Sequence, residues 1–150
     1  RSWLEDQLVI LFGGYAAESL VYNDTTTGTQ NDLHRATELA RRMVCQWGMA
    51  KDVGAVAYNQ DDEPVFMGRD LVRHKTYSEE TARRIDAAVE SILGQARQRC
   101  SDILSQHRDQ LDLLATTLIE KETLSDEEIR QLLGFDSRKS GAESTDVPIV

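Results

Sequence analysis

Thr25-Thr26-Thr27-Gly28-Thr29-Gln30, followed by Asn31-Asp32-Leu33-His34-Arg35-Ala36-Thr37-Glu38-Leu39-Ala40-Arg41-Arg42-Met43-Val44-Cys45-Gln46-Trp47-Gly48, is the stretch whose reading decides the fold. The first half, from Asn23 to Gln30, is a polar loop in which Gly28 permits positive φ. Beyond it, Leu33, Ala36, Ala40, Met43, Val44 and Trp47 recur at three- and four-residue spacing, the period of an amphipathic helix. The spacing predicts a helix from about Asn31 to Trp47, stopped by Gly48. Asp32 falls in its first turn, where a carboxylate ordinarily serves the helix dipole.

The same reading extends outward. Leu4, Leu8, Leu11, Phe12 and Tyr15 predict a helix over about Trp3 to Tyr22, opened by a Ser2–Glu5 capping box. Gly13 and Gly14 interrupt it at a cost of about 1 kcal/mol each relative to Ala, which points to close approach of another backbone. Val56-Ala57-Tyr58 and Val65-Phe66-Met67 flank a polar turn and predict a small β-hairpin. Ser78 N-caps a long helix that carries Ile85, Val89, Ile92, Leu93, Ala96, Cys100, Ile103 and Leu104 to about His107, with Gly94 a point of bending. Leu111, Leu114, Leu118 and Ile119 mark another helix, and a Ser125–Glu128 capping box opens a short last one. From Asp136 the chain is polar and aperiodic, and residues 136–150 are expected to be a disordered tail. The fold class is therefore mainly α, with one small β-hairpin, as one domain over residues 1–135.

Composition narrows function by exclusion. In 150 residues, 26 acidic against 17 basic side chains give a net charge of -9, which argues against binding a nucleic-acid backbone or anionic lipid. With 40% apolar residues the chain can build a core. It contains no run of ~18 apolar residues for a membrane span. Neither a signal peptide nor an initial Met opens it, so a fragment or processed segment is expected. Cys45 and Cys100 lie far apart on apolar helix faces and read as buried free thiols. His107-Arg108-Asp109 imitates a kinase catalytic loop, but no glycine-rich loop or Asp-Phe-Gly accompanies it. No Gly-x-Ser-x-Gly occurs either, and neither Cys has the basic surroundings of an activated thiolate. His34 reads as a surface or partly packed histidine, and His74 sits between Arg73 and Lys75, a poor setting for a metal ligand.

Several motifs in order resemble FtsH-family proteases. They are Gly13-Gly14-Tyr15-Ala16-Ala17-Glu18, Thr26-Thr27-Gly28-Thr29-Gln30-Asn31-Asp32-Leu33 with Ala36-Thr37-Glu38-Leu39-Ala40-Arg41, Trp47-Gly48-Met49, Val65-Phe66-Met67-Gly68-Arg69-Asp70, and Tyr77-Ser78-Glu79-Glu80-Thr81-Ala82. The similarity runs from about Leu8 to Leu133. It implies the C-terminal part of a helical zinc peptidase domain, within an ATP-dependent, membrane-anchored protease that works as a homo-hexamer on protein substrates. ATP would act at a separate ATPase domain. In that scheme two histidines of a His-Glu-x-x-His helix hold Zn2+, its Glu is the general base, and a carboxylate from elsewhere completes the protein ligands. By resemblance that metal ligand is Asp32.

Glu18 is either a carboxylate orienting a ligand histidine or a solvated charge on the first helix. Arg69 and Asp70 are assigned to the hairpin or a subunit contact. Two positions depart from the family pattern: Tyr15 stands where Arg is usual, and Ser19 where a second Glu is usual. No His-Glu-x-x-His occurs in these 150 residues, so the chain carries no catalytic residue of its own. Alone it is expected to be inactive and to bind zinc weakly. The alternative is a degenerate peptidase serving as a helical oligomerisation scaffold. The expected location is the cytoplasmic face of a bacterial inner membrane for the full-length protein, the fragment itself being soluble.

Overall fold

Burying one face of each amphipathic segment up to Gln106 produces helices that share two adjoining clusters of apolar side chains. The computed structural model describes residues 1–54, 56–58 and 77–135. In chain order the helices are α1 (Ser2–Leu11), α2 (Gly13–Tyr22), a 3₁₀ turn (Thr27–Thr29), α3 (Gln30–Cys45), α4 (Glu79–Gln106), α5 (Arg108–Lys121) and α6 (Asp126–Leu133). They divide into a unit over Arg1–Gln106 and a second one beginning at His107.

In the first unit α4 packs against α1, α2 and α3. One cluster joins Leu8 and Phe12, Ala16, Ala36 and Met43 to Ala96 and Cys100. The other joins Ala40, Val44 and Cys45 to Ala50, Val53, Ile85 and Val89. Ala36 and Ala40, both fully enclosed, place small residues where α3 meets its neighbours. Leu8, Met43, Val44 and Ile85 are wholly buried, and each contributes roughly 1.5–3 kcal/mol relative to an exposed position. Both thiols are buried and unpaired, as expected.

The first helical segment differs from its reading. It is two helices meeting at Phe12, whose amide still donates to the Leu8 carbonyl at 3.1 Å. The Ser2–Glu5 capping box does not form. The helix begins at Ser2, and Glu5 instead accepts from Arg1 Nε at 2.8 Å. Nor does a second backbone close on the glycines. A Cβ at Gly13 would meet open space, and one at Gly14 would touch only the Thr29 methyl at 3.5 Å. Gly28 does not use positive φ either, because it lies within the right-handed 3₁₀ turn.

α3 ends at Cys45, so Trp47 falls past the helix and is half exposed. Gly48, at φ 58°, turns the chain so that the Met49 amide can reach the Met43 carbonyl at 2.9 Å. The Tyr58 amide then donates to the Cys45 carbonyl at 2.7 Å, and its ring meets Tyr77 edge-on at 5.5 Å. Val56-Ala57-Tyr58 is not a strand, and there is no strand among the described residues. Val65-Phe66-Met67, Arg69, Asp70, His74 and the tail from 136 lie outside them.

Ser78 caps α4 as read, its Oγ accepting from the Thr81 amide at 3.2 Å. In the second unit, the Ser125 hydroxyl accepts from the Glu128 amide at 3.3 Å while Glu128 accepts from the Ser125 amide at 2.9 Å. Gln110 Nε2 ties α5 to the Leu133 carbonyl at 3.2 Å. Neither α5 nor α6 has a buried residue, and Ile119, expected on an apolar face, is 82% exposed.

Candidate functional site

Asp32 occupies the first turn of α3 and its carboxylate is 45% exposed. Helix geometry fixes the backbone beneath it, and the dipole at the helix start favours a negative charge there. Arg35 lies one turn on, its Nη1 3.7 Å from Asp32 Oδ1, with both side chains open to water. An exposed pair of that length holds a carboxylate only loosely. Asp32 therefore keeps oxygen lone pairs for a cation.

The carboxylate stands at the margin of a groove of about 480 Å³ between α1 and α3. Trp3, Gln7, Ile10 and Leu11 form one wall, and Arg35, Glu38, Leu39 and Arg42 continue the other. Trp3 and Ile10 are each 68% exposed, which makes this an apolar surface beside a charged one.

Glu18 reaches back from α2 to the start of the loop. Its Oε2 accepts from the Thr26 amide at 2.7 Å and its Oε1 from the Thr26 hydroxyl at 3.0 Å. Thr26 Oγ1 in turn accepts from the Gly28 amide at 3.2 Å and caps the 3₁₀ turn. That turn runs straight into α3, with Thr29 buried beneath it. Glu18 is half-buried and bonded to the loop, and it touches no histidine among the described residues. Thr26 itself was not singled out in the sequence. The signal available was a threonine two residues before a glycine at a helix start.

Asp32 and Glu18 are thus linked through the turn, whereas the other polar candidates are not drawn in. His34 is exposed on α3 and His107 opens α5 in the other unit. Among the described residues no three His, Cys, Asp or Glu side chains converge as a metal site. Zinc is held by three or four protein donors, so these residues fit it as contributors of one oxygen ligand, not as a complete set. Tyr15, in place of the usual Arg, is partly buried and meets Phe12 edge-on at 6.3 Å, while Ser19 is exposed.

Comparison with known proteins finds relatives that align over most of this chain. The chain is 46% identical over 134 residues to the ATP-dependent zinc metalloprotease FtsH of Borreliella burgdorferi (strain ZS7), an alignment that covers 89% of this chain and 21% of that protein. Against the ATP-dependent zinc metalloprotease FtsH of Thermotoga maritima it is 42% identical over 139 residues, 93% of this chain and 23% of the relative. Against ATP-dependent zinc metalloprotease FtsH 4 of Sphaerobacter thermophilus it is 45% identical over 142 residues, 95% and 22% respectively. The chain therefore spans about a fifth of the length of these relatives. The model of peptidase family M41 matches residues 1–132, and the chain belongs to that family.

Proposed function

We propose that residues 1–135 are the C-terminal part of a zinc endopeptidase domain in which Asp32 is the third protein ligand. The observation that carries this reading is the half-exposed Asp32 carboxylate, fixed at a helix start and facing a groove with an apolar wall. Its first-turn position limits its motion, and an anionic oxygen suits Zn2+ at about 2.0–2.2 Å. The remaining donors, a His-Glu-x-x-His pair, belong to residues outside these 150. Since they must reach the ion that Asp32 holds, the element bearing them lies over the groove, covering Trp3 and Ile10. When bound, Zn2+ supplies Lewis-acid polarisation of the peptide carbonyl and activation of water for its hydrolysis. The chain's own part is to bind and orient: Asp32 provides an oxygen, α1 and α3 provide the seat, and Glu18 holds the approach loop.

The whole protein is, on this reading, an ATP-dependent, membrane-anchored homo-hexamer that degrades protein substrates at the cytoplasmic face of a bacterial inner membrane. No helix among the described residues is long and apolar enough to cross a membrane. The resemblance assigns the anchor and the ATPase to other parts of the protein. The names of the relatives, each an ATP-dependent zinc metalloprotease, support the ATP dependence and the zinc chemistry of this reading.

The test compares the isolated 150-residue chain with the protein extended through its upstream coding sequence. The isolated chain is expected to leave casein intact and to lose zinc on desalting. The extended protein is expected to cleave casein and retain one zinc per chain. Casein cleavage by the isolated chain would overturn the division of the site. An upstream sequence without His-Glu-x-x-His would instead favour the degenerate scaffold.

A further inference from the structure

The face of α2 that meets the loop is narrow and specific. Gly14 and Glu18 lie four residues apart, on one side of the helix. The first faces the Thr29 methyl, which a Cβ there would meet at 3.5 Å, and the second binds Thr26, so α2 holds the start of the 3₁₀ turn. The grip at Thr26 is stiff, because one carboxylate takes the amide and the hydroxyl of the same residue. It is also relayed, since that hydroxyl caps the turn through the Gly28 amide at 3.2 Å. Gly28 suits the close approach: a Cβ there would stand 3.3 Å from Thr26 Oγ1. The Gln30 amide donates back to the Thr27 carbonyl, which makes the turn and α3 continuous up to Asp32.

We infer that Glu18 is a positioning residue for the zinc site, acting through Thr26 and the 3₁₀ turn on the placement of Asp32. This rests on Asp32 being a zinc ligand. A metal–oxygen bond of about 2.0–2.2 Å tolerates errors of only a few tenths of an ångström, so the ligand must be delivered by a stiff support. Thr26 satisfies one direction of each Glu18 oxygen, and an ionised carboxylate has lone pairs to spare. The competing role, Glu18 orienting a ligand histidine directly, is therefore chemically available, and it differs in one respect. It does not pass through Thr26.

A double-mutant cycle in the full-length protease separates the two. The variants are Glu18→Gln, Thr26→Val, their combination, Thr26→Ser and, as reference, Asp32→Ala. Each is read by the rate of zinc transfer to a chromogenic chelator, by casein cleavage and by ATPase rate. Glu18→Gln and Thr26→Val are each expected to speed zinc loss about tenfold, the lower end of the range for groups supporting a metal ligand. The combination is expected to be no faster than the faster single variant, because both cut one link. Thr26→Ser, which keeps the hydroxyl, is expected to restore zinc retention, and the ATPase rate should not move.

Multiplication of the two effects to about a hundredfold would overturn the inference, as would parent-like zinc retention in Thr26→Val. If Glu18→Gln fails to assemble, Thr26→Val against Thr26→Ser decides alone, and equal zinc loss in that pair overturns the proposal. Zinc retention in Asp32→Ala would instead defeat the reading beneath it, an outcome distinct from the others.

Discussion

Glu128 illustrates how far a single side chain can be legible in sequence. Its spacing from Ser125 announced a capping box, and the box is present. The Ser125 amide, then Lys121 at 3.0 Å, then the Ser125 hydroxyl favour its charged form and push its pKa from 4.5 down to about 2. A carboxyl held below its unfolded value contributes stability above that value and loses it as pH falls. NMR Cα shifts of Asp126–Leu133 are therefore expected to stay helical at pH 6 and to move toward coil between about pH 4.5 and 2. An α6 unchanged across that window would contradict the assignment. Glu18 was less legible: its loop partner could not be named from spacing, because the bond joins residues eight apart across a change of chain direction. Asp32 was recognisable only through the surrounding motif, since a carboxylate in a first turn usually serves the dipole. Burial raises the pKa of both Cys45 and Cys100, in keeping with thiols that pack rather than react.

At the scale of elements, long periodic segments read best, and their ends and joints read worst. The apolar face of α4 from Ile85 to Cys100 follows its spacing, since Ile85, Val89, Ile92, Leu93, Ala96 and Cys100 set an apolar side chain into the clusters on every turn. Gly13 and Gly14 mark the break at Phe12, yet the segment reads as one helix because Phe12 and Ala16 keep the apolar period running across it into one cluster. Leu111, Leu114, Leu118 and Ile119 mark α5 correctly as a helix, yet a pair of helices encloses too little to bury them. Two residues of α1, two positions apart, make opposite expectations. Leu8→Ala removes a wholly buried side chain and should lower unfolding stability by about 2–5 kcal/mol in a denaturant titration. Ile10→Lys alters an exposed position and should leave the isolated chain within about 0.5 kcal/mol of its parent. In the full-length protein the same Ile10→Lys should weaken zinc retention, since it places a charge beneath the histidine-bearing element. Equal zinc retention with and without the lysine would remove that element from the groove.

At the scale of the whole molecule, family membership was legible because several motifs lie in the same order as in the relatives, across most of the chain. The complete metal site was not legible in these residues. Among those described, one carboxylate is suitably presented and no cluster of three donors exists. Asp32 is the residue on which the proposed function turns. Zinc content of the purified full-length protease, measured by atomic emission for the parent and for Asp32→Ala, tests this most directly. One zinc per chain in the parent, and its loss from Asp32→Ala on dialysis together with casein cleavage but not ATPase activity, is the expected result. Full zinc content and undiminished cleavage in Asp32→Ala would return that carboxylate to the ordinary role of a helix-dipole partner.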